Sequence, residues 1–318
     1  MSIKITFRNN LPPIIRRSLP STENEYFKNI AKPLQKRGKN VHNPENNKEK
    51  IEDILKELNE MIGLSKVKKF VQELEAFVEI QKKREKENLI NDPLVLHMVF
   101  SGNPGSGKTT VARIVGKLFK ELGVLQKGHV IECERADLVG EYIGHTANKT
   151  RDMINKALGG VLFIDEAYSL ARGGEKDFGK EAVDVLVKAM EDHKSNLILI
   201  LAGYRIEMEH FIQTNPGLRS RFPLHINFPD YTADELIQIG ELMLLKKQYT
   251  LTPPAKIAFR NMLQNMNLVH PYSGNARMIR NIVEKTIRKQ AVRLYRQTDP
   301  TREDLISITE LDLTNDDL

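Results

Sequence analysis

Chemistry concentrates first in one run, Gly102-Asn103-Pro104-Gly105-Ser106-Gly107-Lys108-Thr109-Thr110. The spacing is that of a phosphate-cradling loop, G-x-x-x-x-G-K-[ST]. Glycines let backbone N–H groups close on phosphate oxygens, and a helix opening at Lys108 turns the positive end of its dipole onto the same anion. Lys108 supplies a mobile cation for the β- and γ-phosphates, and Thr109 offers a hydroxyl to Mg²⁺. A second run, Val161-Leu162-Phe163-Ile164-Asp165-Glu166, drives four apolar residues into two acids. Placed at the C-terminal end of a strand, Asp165 can hold Mg²⁺ through water, and Glu166 can act as general base on an attacking water. The acid pair begins 57 residues after Lys108. Together the two runs specify a nucleotide site, with ATP and Mg²⁺ as the expected ligands.

The surrounding pattern supplies the elements such a site needs. Strand-like runs recur at 94–101, 129–133, 160–165, 197–203 and 224–228, with helical patterns at 108–122, 146–158 and 180–192. That alternation predicts a parallel three-layer α/β sheet. Ahead of it, residues 47–88 read as two amphipathic helices broken at Ile62-Gly63-Leu64. From Thr232 onward strand signals fade, and helices are expected near 232–248, 253–266 and 274–296. The expected division is a flexible basic extension over 1–46, an α/β nucleotide-binding domain over 47–230 and an all-helical domain over 231–318.

Composition narrows the classes. Of 318 residues, 40% are hydrophobic and 28% charged, which excludes global disorder. Tryptophan is absent and aromatics reach 6%, against a large all-β fold. The one cysteine, Cys133, excludes a disulfide within the chain and a Cys-based zinc site, and it fits a reducing cytoplasm. The eight histidines show no ligand spacing. No apolar run approaches the about 18 residues of a membrane span, and the first residues lack the apolar run of a secretory signal. The net charge of +6 is local: residues 1–50 carry a net +7, and the rest a net −1. A nucleic-acid partner is therefore not expected for the main body.

These motifs, together with Ile62-Gly63-Leu64, LFIDEAYSL at 162–170, NPGLRSRF at 215–222 and GNAR at 274–277, follow the order seen in AAA+ ATPases. The chain resembles that superfamily over about residues 50–312. It is most similar to the CbbX-like branch, and within it to the sporulation proteins of spore-forming bacteria. ADLVGEYIGHTANKTRD (136–152), EAYSLARGGEKDFGKEAVDVL (166–186) and LAGYRIEM (201–208) carry that resemblance. It implies an AAA+ P-loop NTPase fold: a parallel five-stranded sheet with helices on both faces, then a small all-helical lid. It implies that Ile62, Gly63 and Leu64 pack against adenine, although the same triplet reads equally as a buried turn between helices. It places Arg221 as an arginine finger reaching a neighbouring subunit's γ-phosphate, with Arg219 as the competitor. Arg277 falls where sensor 2 touches the phosphates in cis. Many relatives carry Asn or Thr as sensor 1 after the fourth strand. Here Tyr204 stands there, and it either substitutes or packs at the strand end.

Gly140-Glu141-Tyr142-Ile143-Gly144 resembles the first pore loop of ring-forming motors, with Tyr142, Ile143 and Gly144 gripping an extended peptide. The alternative is a core aromatic in a turn. Residues Gly173 to Gly179 read either as a second pore loop or as a connection. The resemblance thus implies an ATP-hydrolysing ring motor: a homo-oligomer of six subunits, cytoplasmic, remodelling or threading a protein partner in spore maturation. A DNA-acting motor is the first alternative. The segment Arg277–Arg296 permits it, with seven basic residues and one acid, but too few residues follow for a third, DNA-binding domain. An assembly switch without turnover is the second alternative. Glu166 argues against that, because a binding-only module has no use for a positioned base.

Overall fold

The computed structural model describes residues 44–90, 94–142, 144–173, 177–269 and 274–313. The expected basic extension lies, as far as residue 43, outside them. Two helices lead, α1 (Pro44–Glu60) and α2 (Ser65–Lys86). Then strands and helices alternate: β1 (Met98–Gly102), α3 (Lys108–Glu121), β2 (Val130–Cys133), α4 (His145–Ala157), β3 (Val161–Ile164), α5 (Gly179–Asp192), β4 (Ile198–Gly203), α6 (Arg205–Thr214) and β5 (Leu224–Phe228). All four pairings are parallel, in the order β2-β3-β4-β1-β5.

Strand side chains alternate between two cores, as a period of two requires. Met98, Phe100, Val161, Phe163 and Ile200 pack towards α1, α2 and α3. Val99, Leu162, Ile164, Leu199 and Leu201 pack towards α4, α5 and α6. Both faces are covered at the centre, so β1, β3 and β4 are buried almost throughout, as in buried parallel sheets, while the edge strands β2 and β5 carry exposed polar residues such as Glu132 and Asn227. Burying one phenylalanine such as Phe100 contributes about 2–3 kcal/mol. β1 begins four residues later than its apolar run does. His97 interrupts the run: it is buried, and its Nδ1 accepts the Leu199 N–H at 3.0 Å. Burial pushes its pKa down to about 4, so the ring is a neutral core acceptor.

Three long helices follow in the lid, α7 (Ala233–Lys246), α8 (Pro253–Val269) and α9 (Asn275–Tyr295), and then a short one, α10 (Arg302–Ile306). Thr232 and Glu235 form a reciprocal capping box that starts α7. Leu236, Phe259, Leu263, Ile279 and Val283 form the lid's own core. The helical lid also holds one parallel ladder, β6 (Thr250–Leu251) with β7 (Ser307–Ile308). Two residues per strand are too few for any hydrophobic period to announce.

Candidate nucleotide site

The C-terminal ends of β1, β3 and β4 open into a cleft of about 490 Å³. Its floor is the phosphate-type loop. Gly107 has φ +97° and forms the N-cap of α3 with no side-chain cap, so the first-turn N–H groups lack intrahelical acceptors. Gly105, at φ +71°, is closed in by the lid: a Cβ there would stand 2.3 Å from the Gly274 carbonyl oxygen and 2.8 Å from the Arg277 nitrogen. Lys108 is buried in the loop, and its Nζ donates to the carbonyls of Gly102 at 2.8 Å and Asn103 at 2.9 Å. Burial pushes its pKa down. The charge of Asp165 acts against that, Arg277 adds to it, and Asp230 again opposes it.

Gly102, Pro104, Gly105, Gly107, Thr109 and Thr110 line the cleft along with Lys108. Asn103 and Ser106 do not, and they hold the loop from behind. Ser106 is fully buried with its hydroxyl donating to the Asn103 carbonyl at 2.7 Å, and the Asn103 amide donates to Asp230. Asp165 and Glu166 both line the cleft and are exposed to it. Glu166 sits at φ +47°, in the left-handed region, and its N–H donates to Asp165 Oδ1 at 3.0 Å. A non-glycine residue held there costs about 1–2 kcal/mol, and the turn throws its carboxylate clear of the strand. Tyr204 lines the cleft too, its ring 6.0 Å from that of Tyr168.

The triplet expected at adenine divides. Ile62 lines the cleft. Gly63, at φ +65°, packs under Glu235 and Tyr231, and Leu64 is buried against Gly107. The apolar side of the cleft is completed by Met61 and Tyr231 and by the lid residues Ile239, Leu242 and Met243. None of these was legible as a site residue. Arg277 lines the cleft as expected, and Arg280, one turn along α9, joins it. That i,i+3 spacing was the available signal. Arg113 also reaches the cleft, paired with Glu132 at 2.5 Å.

Arg221 lies elsewhere. Leu224 pairs with Met98 at the start of β1, and Phe228 pairs with Gly102 at its end. Arg221, three residues before Leu224, therefore sits at the end of the sheet opposite its own phosphate loop. Five-residue strands put roughly 16 Å between those ends. Its guanidinium pairs with Glu191 and donates to the Gly217 carbonyl at 2.9 Å. Arg219 is exposed and lines a separate cavity beside β5. Tyr142 is 65% exposed, its ring edge-on to His145 at 5.5 Å, so it is no core aromatic. Gly144, at φ +82°, caps α4. Ile143 lies outside the described residues.

Among the described residues no three His, Cys, Asp or Glu side chains gather to hold a metal ion. Thr109 and Asp165 instead offer isolated oxygens beside a phosphate cradle. That donor set fits Mg²⁺, which binds through one or two protein oxygens plus substrate phosphates.

Residues 98–230 match the family described as "ATPase family associated with various cellular activities (AAA)", and residues 232–318 match the AAA lid domain. The chain is 52% identical over 266 residues to stage V sporulation protein K of Bacillus subtilis, covering 83% of each. It is 46% identical over 245 residues to protein CbbX of Cereibacter sphaeroides, covering 76% of this chain and 79% of that one. It is 43% identical over 267 residues to the chloroplastic ribulose bisphosphate carboxylase/oxygenase activase of Cyanidioschyzon merolae, covering 83% and 91%. The fold and the cleft thus define a P-loop ATPase with a helical lid. The chain belongs to the AAA ATPase family, in its CbbX-like branch.

Proposed function

We propose that this ATPase works as a head-to-tail ring motor that remodels a protein partner. The observation that carries the reading is the position of Arg221. Adjacent parallel strands put it and the phosphate loop at opposite ends of the sheet, which keeps its guanidinium from its own cleft and supports a role at another copy's. In that reading Lys108 and the first-turn amides of α3 hold the phosphates, while Thr109 and Asp165 hold Mg²⁺. Glu166 takes the proton of the attacking water. Arg277 stands against the phosphates from the lid, and Ile62 packs on the base. The trans-acting Arg221 must leave Glu191 to act.

The exposed Tyr142 supports a grip on an extended polypeptide, with Ile143 and Gly144 completing the loop. Relationship favours sporulation as the process: the Bacillus subtilis relative, at 52% identity, is a sporulation protein by name. The activase, at 43%, is named for a different partner, so capture of a carboxylase is the second reading. A hexamer in the cytoplasm completes the proposal. No described helix is long and apolar enough to cross a membrane.

The test is ATP turnover per chain against protein concentration, for wild type, Arg221→Ala and Tyr142→Ala. The proposal requires turnover that rises with concentration, falls by about 10³-fold or more in Arg221→Ala, and survives in Tyr142→Ala. Turnover independent of both concentration and Arg221 would sink it.

A further inference from the structure

A polar tie behind the cleft joins three segments that are far apart in sequence. Asp230, in the connection between β5 and α7, accepts from Asn103 Nδ2 at 3.0 and 2.8 Å, one distance to each carboxylate oxygen. The same carboxylate accepts from Asn275 Nδ2 at 2.7 Å. Asn275 opens lid helix α9, is fully buried, and holds φ +47°. Its other amide contacts are the Pro104 carbonyl, which accepts at 3.2 Å, and the Tyr231 N–H, which donates to its Oδ1 at 3.0 Å. One residue on, the Ala276 N–H donates to the Gly105 carbonyl at 3.2 Å. The phosphate loop and the start of α9 are therefore bonded to each other directly and through one shared carboxylate. Arg277 is the next residue along α9.

We propose that Asp230 is a positioning residue for hydrolysis: by tying Asn103 of the phosphate loop to Asn275 of the lid, it sets where Arg277 stands against the phosphates. The inference rests on the reading that nucleotide occupies the cleft. Ionised, the carboxylate accepts from both amides at once, which no neutral side chain of its size can do without offering a donor to one of them. The tie makes lid angle and loop shape one variable.

The test uses the full chain. ATP turnover at saturating ATP and the stoichiometry of a fluorescent ADP are measured for four variants: Asp230→Asn, Arg277→Ala, the two combined, and Lys108→Ala. Asp230→Asn is expected to lower kcat about tenfold, the size of one such coupling, while still binding one ADP per chain. Because Asp230 acts through Arg277, adding it to Arg277→Ala should cost nothing further. The proposal is overturned if the combined loss is the product of the single losses, or if Asp230→Asn loses ADP stoichiometry. Undiminished turnover in Lys108→Ala would remove the reading of the cleft itself, and the tie with it.

Discussion

Two helices of this protein begin alike and behave differently. α3 and α4 each follow a loop, each has a left-handed glycine as N-cap, Gly107 and Gly144, and neither has a side-chain cap. At Gly107 a Cβ would meet Tyr231, Leu64 and Met61 at 3.2–3.4 Å, and its neighbour Gly105 is closed in by lid backbone. At Gly144 a Cβ would meet nothing within 4 Å. The first turn is closed in at its glycine by the elements packed around it, and the second is open at its glycine. A turn that must present several N–H groups to one ligand has to be held from outside. Under the proposed role of Tyr142, a loop whose aromatic follows a moving polypeptide must not be. Under that proposal the same local device serves opposite mechanical ends, and the neighbours decide which.

Substitutions can break that contrast in order of size. Glu166→Gln keeps the shape of the held site and removes its proposed base. Turnover should fall by about 10²–10⁴-fold while calorimetric ADP binding stays intact. Gly105→Ala attacks the shape instead. Backbone lies within 2.8 Å of the new methyl, so the lid must move, and about 10²-fold weaker ADP binding is expected, comparable to other misplacements of this size. Gly144→Ala should cost only the left-handed conformation, about 1 kcal/mol, read as a small fall in melting temperature with ADP binding unchanged. Equal losses at Gly105 and Gly144 would erase the distinction between the two turns.

The pH dependence of the Arg135–Asp177 pair is the smallest effect. Arg135, just after β2, binds Asp177 at 2.5 Å, and Asp177 also accepts from the N–H groups of Gly173 and Gly179. The Arg135 hydrogen bond holds the Asp177 carboxyl below the usual carboxylate range, against the opposing pull of burial. A group with its folded pKa lowered binds protons less well when folded. Its stabilisation is therefore present at neutral pH and lost as the pH falls below that range. Melting curves of wild type and Asp177→Asn should differ at neutral pH and converge in acid. A gap that persists or widens in acid would refute the assignment.

Much of this architecture was legible because its signals are local. Leu224–Phe228 is a strand over the span its apolar run marks, and the starts of α3, α4 and α5 fall within a residue of their patterns. The loop from Gly102 to Thr110 and the acids Asp165 and Glu166 meet in one cleft because strands of a parallel sheet end together. What sequence hid was non-local. Ile239 and Met243 reach the cleft only because the lid folds back over it, and nothing in their own helix says so. Asp230 reads as a lone acid in a loop until Asn103 and Asn275, separated by 172 positions, are seen to converge on it. The resemblance groups Leu64 with Ile62 at adenine, yet a left-handed backbone at Gly63 and Leu64 turns Leu64 inward beneath the loop, as the buried-turn alternative has it.

The register of β5 against β1 has one more consequence. It gives every chain a socket at one end of the sheet and, under the proposed role of Arg221, a plug at the other. Any open row of such chains must strand one socket and one plug at its ends. Only a cycle strands neither, because a head-to-tail contact either closes on itself or runs on without limit. Turnover per chain is then a gauge of closure: the catalytic rate itself reports how many sockets in the population remain unfilled.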